Sequence, residues 1–244
     1  MRRIVPLLCI ILALFGTLPL AEAQGARPQF RPAVLGSGPT SLINRLDTKE
    51  LLKKGQQDGA VMFCAVVAPN GGSLTSWTYR AMPGTEPLEE ELNRRLQDAK
   101  FTPAIYNYQP VGVLLYGTAV FSRPDGVPRL RIFLNQDFRE FGKMTDFIGP
   151  QPVFGGDSGF EGLRPPESGT PVPLTAVVDL GLKVSREGAL EDLRVLKEEP
   201  PLLGFGDAAM ENFRTAKFIP AFRDGDPTAA DTILPVCYKP VDEE

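Results

Sequence analysis

The chain has 244 residues, enough for one large domain or two of ordinary size. Its 43% hydrophobic and 23% charged residues are a globular balance, and a net charge of −4 without a basic stripe excludes a nucleic-acid partner. The chain contains no histidine, which removes the usual general base and zinc ligand, and 24 glycines with 24 prolines favour short elements joined by turns.

Residues 1–23 read as a secretory signal peptide. Arg2 and Arg3 open it, Ile4 to Leu20 form the apolar stretch, and Ala21-Glu22-Ala23 is a small-x-small cleavage site. An uncleaved anchor is the alternative, but Pro6, Gly16 and Pro19 interrupt the stretch at the lower limit of a membrane span. Cys9 lies inside it, far from the cleavage point. The expectation is therefore an exported protein, periplasmic or secreted, with no membrane span after cleavage. Its mature cysteines, Cys64 and Cys237, are far apart in sequence and read as buried free thiols.

Residues 24–41 read as a flexible amino-terminal stretch, and Thr48 to Gln57 as a short helix leading into a first domain over 42–148. In that domain Val61 to Val67 and Leu74 to Tyr79 flank Asn70-Gly71-Gly72, a hairpin signal. Leu88, Leu92, Leu96 and Ala99 then recur at helical spacing, with Glu89 to Glu91 suiting the positive end of the helix dipole. Pro103 is read as the helix stop. Val111 to Phe121 is a long strand, and after the turn Arg123-Pro124-Asp125-Gly126 an added strand runs from Leu130 to Leu134. Trp77, Tyr79, Tyr106 and Tyr108 read as core and rim of this domain.

Residues 149–171, rich in glycine and proline, read as a linker, and 172–244 as a second domain. Its first strand alternates Val178, Leu180, Leu182 and Val184 with Asp179, Gly181 and Lys183. Leu190 to Leu196 returns after Gly188, a helix carries Phe205, Ala209, Phe213 and Ala216, Pro220 stops it, and Ala229 to Tyr238 is the last strand. The complete set of elements predicts that this half folds alone.

The two halves repeat each other. Ala99-Lys100-Phe101-Thr102-Pro103-Ala104 recurs 117 positions on as Ala216-Lys217-Phe218-Ile219-Pro220-Ala221, and Pro110 meets Pro227 at the same shift. Gly72-Ser73-Leu74 is matched to Gly188-Ala189-Leu190 at a shift of 116. The fold class expected is α+β, two copies of a β-β-α-β module with small antiparallel sheets, the first with an added carboxy-terminal strand.

The order of elements, the glycine hairpin and the Lys-Phe-x-Pro-Ala closure resemble the TonB C-terminal domain family. The second copy matches better, from Leu174 through Gly225-Asp226-Pro227 to Leu234-Pro235-Val236-Cys237-Tyr238. The first keeps the helix, Phe-x-Pro-Ala and Gln109-Pro110-Val111. The resemblance implies a domain that docks on outer-membrane transporters by pairing a strand with a receptor peptide. Family members that transduce energy also carry a retained membrane helix and a long proline-rich spacer. Here Gly25 to Ser41 would reach only about 55 Å at about 3.3 Å per residue.

The function expected is a non-catalytic cell-envelope protein that binds a protein or peptide segment by strand addition, linked to outer-membrane transport. The alternatives are a self-assembling structural protein and an anchored energy transducer. The expected peptide-binding residues lie on the last strand, which lacks the added strand of the first copy: Thr232, Ile233, Leu234, Val236 and Tyr238. No cofactor, metal or catalytic residue is expected. Gly156-Asp157-Ser158-Gly159 matches a serine-protease tetrapeptide, but Ser158 lacks a histidine to activate it. Asp224, Asp226 and Asp231 read as a solvated turn.

Overall fold

A computed structural model describes residues 27–135, 139–140, 143, 146–167 and 174–239. The segment read as a signal peptide, with Cys9, part of the stretch read as a linker and the acidic tail lie outside the described residues. The fold is mixed and mostly strand, with three α-helices and several small antiparallel sheets among the described residues. None of these helices is long and apolar enough to cross a membrane.

The first half is built around one long strand. Helix α1 (Thr48–Lys53) leads to β1 (Gly59–Val67) and β2 (Ser73–Ala81), followed by α2 (Glu86–Leu96), β3 (Gln109–Ser122) and β4 (Arg129–Leu134). The sheet runs β2-β1-β3-β4, with β3 paired to β1 from Val113 to Phe121 and to β4 from Gly117 to Ser122. Leu88, Leu92 and Leu96 of α2 are buried against Val61, Phe63, Ala65 and Val67 of β1. Glu86 and Glu89 lie in the first turn of α2 and Arg94 and Arg95 in the last, charges that complement the helix dipole. Every residue of β1 from Phe63 to Val67 is buried, so this part of the sheet is covered on both faces rather than one.

The second half supplies that second cover. It contains β6 (Ala176–Val184), β7 (Leu190–Glu199), α3 (Phe205–Phe213) and β8 (Ala230–Tyr238), in a sheet of order β7-β6-β8. Val178, Leu180 and Leu182 pack with Phe205, Ala209 and Phe213 of α3 in one buried cluster. Cys64, Val66, Leu114 and Tyr116 of the first sheet join the same cluster. Asp179 turns the other way and meets Arg80 of β2 at 3.3 Å, while Glu199 meets the same guanidinium at 3.1 Å. The layers are thus helix, sheet, sheet, helix.

The stretch read as a linker is a structural seam. Strand β5 (Gln151–Phe154) pairs with β3 through Val153 and Phe154, and with Phe218–Ile219 through Gln151 and Pro152. Phe160 is buried and stacks on Phe213 with ring centroids 4.6 Å apart. Residues 27–41 of the stretch read as flexible are also ordered. Phe30–Arg31 pairs with Tyr106 and Ile105, and Val34–Leu35 with Thr102 and Phe101. In both places the physical reason is the same. These strands are two to four residues long and find their partners far away in sequence, where no local periodicity marks them.

The helices end earlier than the prolines suggested. Each stops seven residues before its proline, at Leu96 and Phe213, and the chain is already extended at Phe101–Thr102 and Phe218–Ile219. Pro103 and Pro220 instead pack near the glycines of the two hairpin turns, Gly71 and Gly188, which have φ of +80° and +83°. A Cβ on either glycine would fall 2.2 Å from the Phe101 carbonyl oxygen or 2.1 Å from that of Phe218. Gly71, rather than Gly72, thus shares its surroundings with Gly188, 117 positions on.

Candidate functional site: the cleft between the two sheets

The five residues expected to bind peptide lie on β8, and the structure places them inside the molecule more than on an open edge. Thr232, Leu234, Val236 and Tyr238 are buried, and Ile233 is half-buried. Leu234, Val236 and Tyr238 belong to the α3 cluster, and the Tyr238 hydroxyl is hydrogen-bonded to Asn212 Nδ2 at 2.9 Å. Among the described residues β8 nevertheless has a strand partner on one side only, β6.

The direction of its free backbone groups follows from Pro235. Proline has no N–H to give a ladder, so its place opposite Asp179 argues that the residues facing β6 are Leu234 and Val236. Ile233 and Cys237 then present their N–H and C=O groups outward, away from β6. Tyr116, 117 positions before Ile233, has the same sense. Its N–H donates to Asn135 Oδ1 at 3.2 Å and its C=O accepts from Asn135 N–H at 2.8 Å, on the side away from β1.

Two recesses open along this boundary. One, of about 220 Å³, is lined by Met62, Tyr79, Arg80 and Tyr116 of the first half and by Thr232 to Pro235 of β8. The other, of about 370 Å³, is lined by Leu74, Trp77, Leu114, Phe160, Leu163, Cys237, Tyr238 and Lys239. Trp77 and Tyr79, expected in the core and rim of the first domain, sit at this boundary and pack on the second cluster. Tyr106 packs against the first core, and Tyr108 is 55% exposed. Cys64 and Cys237 are free and buried.

The electrostatics of the cleft favour neutral side chains. Burial pushes the Cys64 thiol well above its usual range, and the nearby Cys237 adds to this. Burial likewise raises Cys237, and it raises the phenols of Tyr79, Tyr116 and Tyr238. A thiol held neutral is a poor nucleophile, so the cleft is suited to packing and hydrogen bonding. Among the described residues the buried Thr232 hydroxyl makes no hydrogen bond, whereas the Tyr116 hydroxyl and the Trp77 indole N–H lie against the thiols of Cys64 and Cys237. Arg80 is the principal charge, held protonated against the cost of burial by Asp179 and Glu199.

The other motifs lie elsewhere. Ser158 Oγ is engaged with the backbone of Phe160, accepting from its N–H at 3.2 Å and lying 3.2 Å from its carbonyl oxygen, so its hydroxyl serves a turn. Asp224 takes a positive φ in the Asp224-Gly225 turn and accepts the Asp146 N–H at 3.0 Å. What the sequence reading missed was the first-half wall of the cleft. Its available signal was β1, an unbroken apolar run that demands cover on both faces. Comparison with models of known protein families, with curated proteins and with solved structures finds no match, so the function must be argued from the chain's own residues.

Proposed function

We propose that this chain is an exported, non-catalytic cell-envelope protein that holds a peptide segment in the cleft between two copies of a TonB C-terminal-like module. The duplication is supported by pairings that repeat at one spacing. Phe30 with Tyr106 and Val34 with Thr102 become Phe147 with Arg223 and Gln151 with Ile219, each 117 positions on. The Asn107-Tyr108 turn, with positive φ at both residues, becomes Asp224-Gly225.

The observation that carries the binding role is the outward edge of β8. It has no strand partner among the described residues, yet it runs between two recesses rather than facing bulk water. An extended segment laid there would pair with the backbone of Ile233 and Cys237 and place alternate side chains in the recesses. The other edge of the same sheet, β7, is a poorer candidate. Register shifts opposite Asp179/Leu180 and Lys183/Val184, together with Glu191, Asp192, Arg194 and Lys197, guard it as natural edges are guarded.

Site-specific photo-crosslinking tests this. A photoreactive residue replaces Leu74, at the cleft mouth and 64% exposed, and in a second protein Leu202, 95% exposed on a remote loop. In intact envelopes the Leu74 position should give a discrete protein adduct that the Leu202 position does not. Identical adducts from both positions, or none from Leu74, would reject the cleft as the binding surface.

A further inference from the structure

The larger recess differs in character from the rest of the cleft. It has a volume of about 370 Å³, within the range of small-molecule sites, and its wall is almost entirely apolar: Val66, Leu74, Leu114, Phe160 and Leu163, with the ring of Trp77. Leu74 is 64% exposed at its mouth, an unusual position for a large aliphatic side chain flanked by other apolar groups. The charges at the rim are not equivalent. Glu161 is already paired with Arg164. Lys239 makes no ion pair among the described residues, and its Nζ lies 4.5 Å from the centroid of the Trp77 ring. A cation therefore stands over the Trp77 ring at the entrance to an apolar slot.

We infer that this recess binds a free anionic amphiphile, a fatty acid whose chain enters between the sheets and whose carboxylate meets Lys239. The chemistry is complementary at both ends. The chain replaces water on Leu114, Phe160 and Leu163, and the carboxylate takes up the Lys239 ammonium as a charge-assisted hydrogen bond. A cationic amphiphile would bring like charge to the same point. This inference does not rest on the peptide reading, because the ligand needs no strand pairing and occupies the end of β8 away from Thr232 to Pro235.

Trp77 is the only tryptophan in the chain, so its fluorescence reports on this recess alone. Laurate, dodecanol and dodecyltrimethylammonium are titrated below their micelle-forming concentrations into the mature protein. Laurate should shift Trp77 emission saturably and bind more tightly than the cationic chain. Lys239→Gln should weaken laurate roughly five- to tenfold while leaving dodecanol unchanged. Leu74→Glu changes an exposed side chain, so the protein stays folded, and the added carboxylate at the mouth should weaken laurate by at least as much. An emission spectrum that laurate does not move would overturn the inference. So would equal binding of laurate by the native protein and both variants, or equal binding of the anionic and cationic chains.

Discussion

Single residues carry more of this fold than their local sequence suggests, and Gln151 is the clearest case. Its side chain is buried and acts as a strand in miniature. Oε1 accepts the Ala33 N–H at 2.7 Å, and Nε2 donates to the Ala33 carbonyl at 2.8 Å. Gln151→Leu would leave two buried backbone groups unpaired, at about 1–3 kcal/mol each. A fall in unfolding free energy of about 2–4 kcal/mol is expected by urea titration, and a loss under 1 kcal/mol would show that Ala33 finds other partners. Gly188 is a second case. Gly188→Ala meets both a positive φ and the Phe218 carbonyl, whereas Gly126→Ala meets a similar φ of +78° in open space. Both should lose about 1–2 kcal/mol from the backbone, and Gly188→Ala distinctly more from the clash. The turn at Gly188 was legible in the sequence, but its close approach to the Phe218 carbonyl and the bridge made by Gln151 were not, because their partners lie far along the chain.

Titration belongs to the same scale. The raised groups Cys64, Cys237, Tyr79, Tyr116 and Tyr238 are acids whose folded state favours the neutral form. Their contribution to stability is complete below their ordinary values of 9.0 and 10.0 and is lost as pH rises through that window, since the unfolded chain then releases protons that the folded chain keeps. The urea midpoint should hold from neutral pH to about pH 9 and then fall steeply. A flat profile to pH 11 would mean that these groups are solvated.

At the scale of elements, long periodic segments were legible and short ones were not. The faces of α2 and α3 followed from Leu88, Leu92 and Leu96 and from Phe205, Ala209 and Phe213, all buried as the spacing requires. Strand β5 did not follow, since Gly149, Pro150 and Pro152 carry the signature of a loop and its partners lie at 112–113 and 218–219. This changes what should fold alone. A fragment of residues 168–244 lacks Phe160, the partner of Phe213, and the strand opposite Phe218–Ile219. It should melt without cooperativity, whereas residues 146–244 should show a transition. If both fragments melt alike, β5 contributes little to the second half. Phe218→Ala in the full chain empties a buried ring site and should cost about 3–5 kcal/mol. The same ladder argument separates two proline variants. Thr232→Pro removes a donor facing β6 and should destabilise the fold more than Ile233→Pro, which removes one facing the cleft.

At the scale of the whole molecule, the mixed class with small antiparallel sheets was readable, but the relation between the halves was not. An unbroken apolar strand such as β1 announces that both faces need cover; it does not say what covers them. The cover proves to be the other half, locked by Arg80 with Asp179 and Glu199, by Gln151 with Ala33, and by β5 lying between β3 and Phe218–Ile219. The cleft proposed to bind exists only as a product of that union, so the proposal requires the two halves to behave as one body. Differential scanning calorimetry of the mature chain tests this most directly. A single transition whose calorimetric and van't Hoff enthalpies agree is predicted, and Gln151→Leu should lower it as a whole. Two separable transitions, with only one moved by Gln151→Leu, would contradict the account.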